Sequence, residues 1–184
     1  MRRPFVDFIQ LKSYNECRAR LEERTMPFEI VWNDITKMQV DAVVNAANSR
    51  LAPGGGVCGA IFAAAGYEKL DHACRVIGGC PTGGAVITEG FDLAAKYIIH
   101  AVGPIWQGGD WGEPEQLRSC YLNALRLAAE NGCSSIAFPL ISSGIYGYPK
   151  DAAMAVAAAA IEEFLQENDL QVYLVLFGKP VDLN

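Results

Sequence analysis

The stretch from Asn45 to Gly66, NAANSRLAPGGGVCGAIFAAAG, decides how this chain folds and contains its most distinctive loop. Three consecutive glycines, Gly54–Gly56, precede a short apolar segment typical of the start of a helix, and the stretch carries almost no charge. Glycines let bare backbone N–H groups approach an anion closely, and a helix N-terminus adds a partial positive charge. The stretch therefore predicts a cradle for phosphate groups.

The segments around this loop alternate between strand and helix patterns. Runs rich in apolar and β-branched residues predict six strands, and amphipathic or alanine-rich runs predict the helices. Strands separated by helices predict a three-layer α/β/α domain with helices on both faces of a mixed, mostly parallel sheet. The predicted strands are 28–33, 41–47, 83–90, 96–103, 134–142 and 171–177; one predicted helix begins near Gly59 and the others span 67–76, 114–131 and 151–168.

A second glycine-containing loop, residues 142–147, follows the strand predicted at 134–142. In open α/β sheets, ligands bind beyond the carboxyl ends of the strands. The loops at 48–59 and 142–147 both leave such ends, so we expect them to hold an extended phosphate group from two sides. Glycines also mark ordinary turns, and for either loop taken alone that simpler explanation stays open.

Length and charge limit the classes of function. The chain has 184 residues, of which 51% are hydrophobic, and a formal net charge of −6. One domain is expected, residues 27–184, preceded by an amphipathic N-terminal helical extension over residues 1–26. The acidic balance argues against nucleic acid held by a basic surface. Because the sequence lacks a membrane-length apolar run and a convincing signal peptide, we expect a cytoplasmic protein with no membrane partner.

Known motifs for metal, nucleotide and hydrolase sites do not fit. The six cysteines show no C-x-x-C pair and no zinc-finger spacing, so reduced and mostly buried thiols are expected, and no metal. Gly54–Gly59 meets G-x-G-x-x-G formally, but lacks the acidic residue of a dinucleotide site at the end of a second strand. Ser142–Gly144 is not a nucleophile elbow. His100 ends an apolar strand, where a structural imidazole is more common than a catalytic one.

Several motifs, taken in order along the chain, resemble the macrodomain family, and in overall cast its bacterial MacroD-like branch. The resemblance covers roughly residues 28–178 and implies a three-layer α/β/α fold that binds ADP-ribose in a cleft at the strand ends. The motifs are NDIT (33–36), DAVVNAAN (41–48), GGGVCGAIFAAAG (54–66), TGGAVIT (82–88), YIIHAVGP (97–104) and FPLISSGIYGYP (138–149).

The resemblance also implies roles for individual residues. Asp34 would accept the adenine amino group with the Ile35 backbone beside it, and Phe177 would stack near adenine. A turn or cap residue and a core aromatic are the structural alternatives for Asp34 and Phe177. Asn48 would face the distal ribose, the sugar that carries the modified group, and Tyr146 would lie near it. The diphosphate would lie between Gly55, Gly56, Val57, Cys58, Gly59 and Ile61 on one side and Ser142, Ser143, Gly144, Ile145 and Tyr146 on the other.

The chain departs from this pattern at Cys58 and Phe62, where the MacroD-like hydrolases that it resembles commonly carry Asp and His. In those enzymes the Asp is implicated in positioning or activating the water that attacks the distal ribose. An unperturbed thiol is a poor general base, because little of it is ionised near pH 7. Cys58 is therefore the position at which turnover of a bound ligand becomes uncertain.

Three hypotheses follow. In the first, the chain is an ADP-ribosyl hydrolase in which Asn48 orients the ribose and the substrate's own phosphate activates water. In the second, it is a binding module that recognises ADP-ribose without turnover. In the third, Cys58 is a covalent nucleophile, although its flanking residues offer no base. The resemblance implies esters of the distal ribose as substrates, namely O-acetyl-ADP-ribose and ADP-ribosylated Asp or Glu side chains of proteins, and we expect no cofactor.

Overall fold

The computed structural model describes residues 27–178, and the extension predicted over residues 1–26 lies outside them, as do residues 179–184 of the predicted domain. The described residues form one six-stranded sheet and four α-helices. The elements are β1 (Phe28–Trp32), β2 (Ala42–Ala46), α1 (Gly56–Ala65), α2 (Tyr67–Ile77), β3 (Ala85–Glu89), β4 (Tyr97–Ala101), α3 (Glu113–Glu130), β5 (Ser135–Pro139), α4 (Lys150–Leu165) and β6 (Gln171–Leu176), with a short 3-10 helix at Ile35–Lys37.

The strand order in the sheet is β1-β6-β5-β2-β4-β3. Every neighbouring pair is parallel except β3 with β4, which is antiparallel. The prediction of a mixed, mostly parallel sheet is therefore confirmed. Because β1, β6, β5, β2 and β4 run in the same direction, the loops that follow them leave the same edge of the sheet.

Each face of the sheet packs against its own pair of helices. Side chains alternate between the two faces along a strand, so Val44 of β2 joins the core under α3 and α4 while Val43 joins the core under α1 and α2. Both cores consist of fully or nearly fully buried apolar side chains. The result is the three-layer α/β/α arrangement that the alternation of strands and helices predicts.

The predicted elements are all present among residues 27–178, with shifted ends. Helix α1 begins at Gly56, earlier than the predicted start near Gly59, because Gly55 already has the extended conformation of an N-cap. Helix α4 ends at Leu165 rather than at 168. The strands are shorter than their apolar runs, since ladder pairing stops where the loops diverge. None of the helices between residues 27 and 178 combines the length and apolar composition of a membrane span.

Tyr121 of α3 fixes the path of the chain as it leaves β5. The residue is fully buried, and its hydroxyl donates to the Pro139 carbonyl oxygen at 3.3 Å and accepts from the Ile141 N–H at 3.2 Å. Its ring packs on Phe138, with 5.1 Å between the centroids. A helix on one face of the sheet thereby positions the loop that begins beyond Pro139.

We expect Tyr121→Phe to lower the free energy of unfolding by about 1–3 kcal/mol, because a buried N–H and a buried carbonyl each lose their partner. Urea denaturation followed by circular dichroism measures the change. Tyr97→Phe is the matched control, since no hydrogen bond of the Tyr97 hydroxyl is found within residues 27–178. Equal stability of the two variants would contradict a role for the Tyr121 hydroxyl.

Candidate functional site

A cleft of about 170 Å³ opens at the carboxyl edge of the sheet, between the loops that follow β2 and β5. Six of the residues assigned to the site from the sequence line it, and they are Asn48, Gly55, Cys58, Ser142, Ile145 and Tyr146. Gly54, named in the sequence analysis as part of the glycine cradle, lines it too, and the lining residues that the sequence analysis missed are Ala46, Ala47, Gly103 and Ile141. The signal for Gly103 was present, because a glycine directly follows the apolar run of β4.

Close backbone packing shapes the wall formed by the first loop. A Cβ atom at Gly59 would lie 2.6 Å from the Gly54 carbonyl oxygen, so only glycine lets the loop fold back onto the first turn of α1. The N-terminus of α1 therefore lies at the cleft, where its unpaired N–H groups could donate hydrogen bonds to an anion. Val57 and Gly59 lie in this first turn, and the Ile61 side chain is fully buried in the core behind it.

The second loop holds Ser142 in a strained conformation. Its φ angle of +66° is in the left-handed region, and its side chain is 6% exposed. A Cβ atom at Gly103 would collide with Ser142 Oγ and lie 2.6 Å from Ile141 Cγ2, so the chain after β4 must be glycine there. The Oγ atom of Ser142 has no hydrogen-bond partner within the described part of the chain. A strained residue with a buried, unsatisfied hydroxyl in a cleft wall is typical of a ligand site.

The two loops meet above the cleft through Ile145. A Cβ atom at Gly55 would lie 3.3 Å from Ile145 Cδ1, although the Ile145 side chain as a whole is 82% exposed. Ser143 Oγ donates to the Leu140 carbonyl oxygen at 2.7 Å and Gly147 N–H to the Gly144 carbonyl oxygen at 3.0 Å. These bonds fix the second loop, so a ligand between the two walls would meet a preformed groove.

Asn48 organises the first loop as well as lining the cleft. Its Nδ2 donates to the Ala52 carbonyl oxygen at 2.7 Å, and its Oδ1 accepts from the N–H groups of Arg50 and Ala52 at 3.2 and 3.1 Å. A side-chain amide has two N–H donors. One of them is thus left for a ligand, and the other bonds keep the amide in place.

Cys58 is a protonated thiol in the wall of the cleft. The residue is 5% exposed, and burial raises the pKa of the thiol despite opposing hydrogen bonds from Asn45 and the Gly54 backbone. Its Sγ accepts from Asn45 Nδ2 at 3.7 Å and contacts the Ala52 carbonyl oxygen at 3.9 Å. Because the thiolate is the nucleophilic form, this environment opposes the covalent hypothesis.

A chain of buried polar side chains lies behind Cys58. Asn45 and His100 are paired in register on β2 and β4, and Asn45 Nδ2 donates to His100 Nδ1 at 3.1 Å. His100 Nε2 then donates to Thr88 Oγ1 at 3.0 Å, and burial lowers the pKa of the imidazole to about 4. His100 is therefore neutral and fully buried, one side chain away from Cys58. The expectation of a structural imidazole agrees with this environment.

The residues assigned to adenine lie further along the same edge. The Asn33 N–H bonds the Leu176 carbonyl oxygen at 3.1 Å, which brings the ends of β1 and β6 together. Asp34 follows β1, and its Oδ1 accepts from the side chain and the backbone N–H of Thr36 at 2.7 and 3.0 Å. The Thr36 side-chain bond is the main cause that lowers the pKa of this carboxyl. Asp34 thus caps the 3-10 helix that begins at Ile35, and Phe177 is 88% exposed rather than a core aromatic.

Comparisons with known proteins agree with this architecture. Residues 44–157 match the family model described as "Macro domain". An O-acetyl-ADP-ribose deacetylase of Escherichia coli (strain K12) is 50% identical over 155 residues, which cover 82% of this chain and 88% of the deacetylase.

Two solved structures extend the likeness to three dimensions. A macrodomain of Oceanobacillus iheyensis with ADP gives a TM-score of 0.77 at 46% identity, covering 82% of each chain. A Trypanosoma brucei macrodomain in complex with ADP-ribose gives a TM-score of 0.73 at 39% identity, covering 80% of this chain and 63% of its own. At 46% and 39% identity, these structures share the family as well as the fold of this chain.

The burial of His100 predicts a pH dependence of stability. The imidazole has a folded pKa of about 4, below its ordinary 6.5. Between these values the unfolded chain binds a proton that the folded chain excludes, so stability is complete above pH 6.5 and is lost as the pH falls towards 4. The loss amounts to about 3 kcal/mol. NMR titration of the His100 ring measures the folded pKa, with His72→Asn removing the other histidine signal. A midpoint near 6.5 would show that the ring is not desolvated.

Proposed function

This chain belongs to the macrodomain family, and we propose that it binds ADP-ribose in the cleft and hydrolyses esters of the distal ribose. The observation that carries the proposal is the joining of two loops, one at the N-terminus of α1 and one around Ser142, into a single groove. Backbone N–H groups and a helix N-terminus bind phosphate without basic side chains. None of the lining residues is basic, which fits a chain of net charge −6.

The order of the strands supports one orientation of the ligand. Asp34, Ile35 and Phe177 follow β1 and β6, the two glycine loops follow β2 and β5, and Gly103 follows β4. At about 4.8 Å between strands, these ends span roughly 19 Å. Adenine would lie at the β1 and β6 end, and the diphosphate between the loops. The distal ribose would lie against Asn48 and Tyr146, towards β4.

The chemistry of Cys58 favours ester substrates if the ligand is turned over. Its protonated thiol accepts no proton from water near pH 7, so the leaving group must need little assistance. O-acetyl-ADP-ribose and ADP-ribosylated Asp or Glu side chains are such esters. Water would then be activated by the substrate's phosphate, with the free N–H of Asn48 orienting the ribose. The 50% identity with a deacetylase supports this substrate class.

A non-catalytic ADP-ribose reader is the second candidate, and Cys58 is the observation that favours it. A site built to hold the ligand needs the groove and Asn48, but it needs no general base. For both candidates we propose a location in the cytoplasm, in keeping with five free, buried cysteines among residues 27–178. Neither needs nucleic acid or a membrane as a partner.

Calorimetry with ADP-ribose and a hydrolysis assay with O-acetyl-ADP-ribose separate these candidates. We expect saturable binding of ADP-ribose and release of acetate by the wild-type protein. Asn48→Ala should weaken the binding of ADP-ribose and slow the release of acetate, because it removes the ribose contact and loosens the 48–52 turn. Tight binding without release of acetate, or of ADP-ribose from modified protein, would refute the hydrolase and leave the reader. Absence of binding would refute both.

The substitution Cys58→Asp tests whether the missing carboxylate limits turnover. Asn45 Nδ2, 3.7 Å from Sγ, would donate to an aspartate at this position, and we expect kcat to rise by about 10²-fold or more. Cys58→Ser is the matched control and should leave the rate unchanged, since neither a thiol nor a hydroxyl acts as the base. A large loss of rate in Cys58→Ser would instead indicate covalent catalysis.

A further inference from the structure

The loop between β4 and α3 includes the cleft residue Gly103 and exposes two large apolar side chains. Ile105 is 57% exposed and Trp111 is 72% exposed, and the 82%-exposed Ile145 belongs to the neighbouring ligand loop. Single exposed apolar residues are common, but exposed apolar residues in a loop that continues directly from a cleft residue, here Gly103, indicate an interaction surface. We call residues 105–111 the apolar platform.

A buried carboxylate holds this platform in a fixed conformation. Glu113 is 1% exposed, although a charged residue is rarely buried without partners. Its carboxylate accepts from the backbone N–H groups of Gln107, Gly109 and Trp111 at 2.9, 3.1 and 2.7 Å. Burial acts to raise the pKa of Glu113, but the backbone hydrogen bonds outweigh it and lower the pKa. The ionised carboxylate thus fixes the backbone of the loop through three hydrogen bonds. The exposed side chains of the loop are therefore attached to an ordered backbone.

The platform is joined directly to the wall of the cleft. The Trp106 N–H donates to the Tyr146 carbonyl oxygen at 2.9 Å, and the Trp106 ring packs on Tyr148 with 4.5 Å between centroids. Gly103, which lines the cleft, precedes Ile105 by two residues. The platform is therefore continuous with the residues that would contact the distal ribose.

The strand order places the platform beyond the ribose end of the ligand. It follows β4, whereas Asp34 and Phe177 follow β1 and β6 on the other side of the two glycine loops. A group attached to the distal ribose would leave the cleft on the β4 side. An acetyl group ends a few atoms beyond the ester oxygen and would not extend to the platform. A modified protein continues as polypeptide, which would extend over it.

We propose that the apolar platform binds apolar side chains of the polypeptide that carries the ADP-ribose, next to the modified residue. This inference rests on the proposed binding of ADP-ribose in the cleft. It assigns Ile105 and Trp111 a role in substrate selection rather than in chemistry. Because Glu113 orders the loop before binding, the entropic cost of contact is small.

The test uses the full chain and three probes: free ADP-ribose, a peptide that carries ADP-ribose through an amide in place of the cleavable ester and has leucines beside the modified residue, and the same peptide with serines. We expect the leucine peptide to bind about tenfold more tightly than the serine peptide, as for one good apolar contact. Trp111→Ser and, separately, Ile105→Ser should remove most of this preference. Both variants should bind free ADP-ribose within about twofold of the wild type, since neither side chain lines the cleft.

Val76→Ser is the matched control, because Val76 is 73% exposed on α2 and does not line the cleft. It should leave all three affinities unchanged. Equal wild-type affinity for the two peptides, with normal binding of free ADP-ribose, would overturn the platform and leave the proposed function intact. Failure of the wild type to bind free ADP-ribose would overturn both.

Two further outcomes would also overturn the proposal. If Trp111→Ser weakens the binding of free ADP-ribose as much as the binding of the leucine peptide, the platform belongs to the nucleotide site. If sedimentation shows that Trp111→Ser turns a dimer into a monomer while the leucine preference persists, the platform is a contact between two copies of this chain.

Discussion

Parallel pairing of β2 with both β4 and β5 is the constraint on which the site depends. Because the three strands run in the same direction, their loops leave one edge and converge on one cleft. The loop after β2 contributes Asn48 and the start of α1, the loop after β5 contributes Ser142, and the chain after β4 contributes Gly103. The same pairing sets the order of the candidate subsites, since β6 and β1 continue the sheet on the far side of β5.

Behind the cleft, neutral polar side chains contact one another without charge, although Asn45 Oδ1 has no hydrogen-bond partner within the described residues. Thr88, His100, Asn45 and Cys58 form a continuous series of contacts through the sheet, and burial opposes ionisation of both His100 and Cys58. Asn45 uses both N–H donors in this series, one towards His100 and one towards Cys58. The position of the thiol is therefore fixed by Asn45, which lies behind it in the sheet. A proton acceptor at that place would meet the same donor, so replacing Cys58 by Asp would alter the proton affinity of the site more than its geometry.

Some of the acidic residues have a structural role. Three carboxylates accept backbone N–H groups and build loops: Asp34 at the 3-10 helix, Asp41 with Ser134, and Glu113 in the platform. The phosphate cradle in turn is proposed to rely on N–H groups and the N-terminus of α1. Backbone amides thus hold carboxylate side chains at three places in this domain, and the proposed phosphate site would use the same interaction.

Apolar periodicity and glycine spacing are local signals, so the fold class, the order of strands and helices, and most of the cleft's two loops can be predicted from the sequence. The sequence also singled out Cys58 as the residue at which the hydrolase and reader hypotheses differ. Other features were decided only by the tertiary structure. The Gly103–Ser142 contact, the Asn45–His100 pair and the loop held by Glu113 join residues from different elements, and no local pattern encodes them. Where a strand ends depends on which strands pair with it in the sheet. Whether a carboxylate can be buried depends on which backbone N–H groups lie next to it in space.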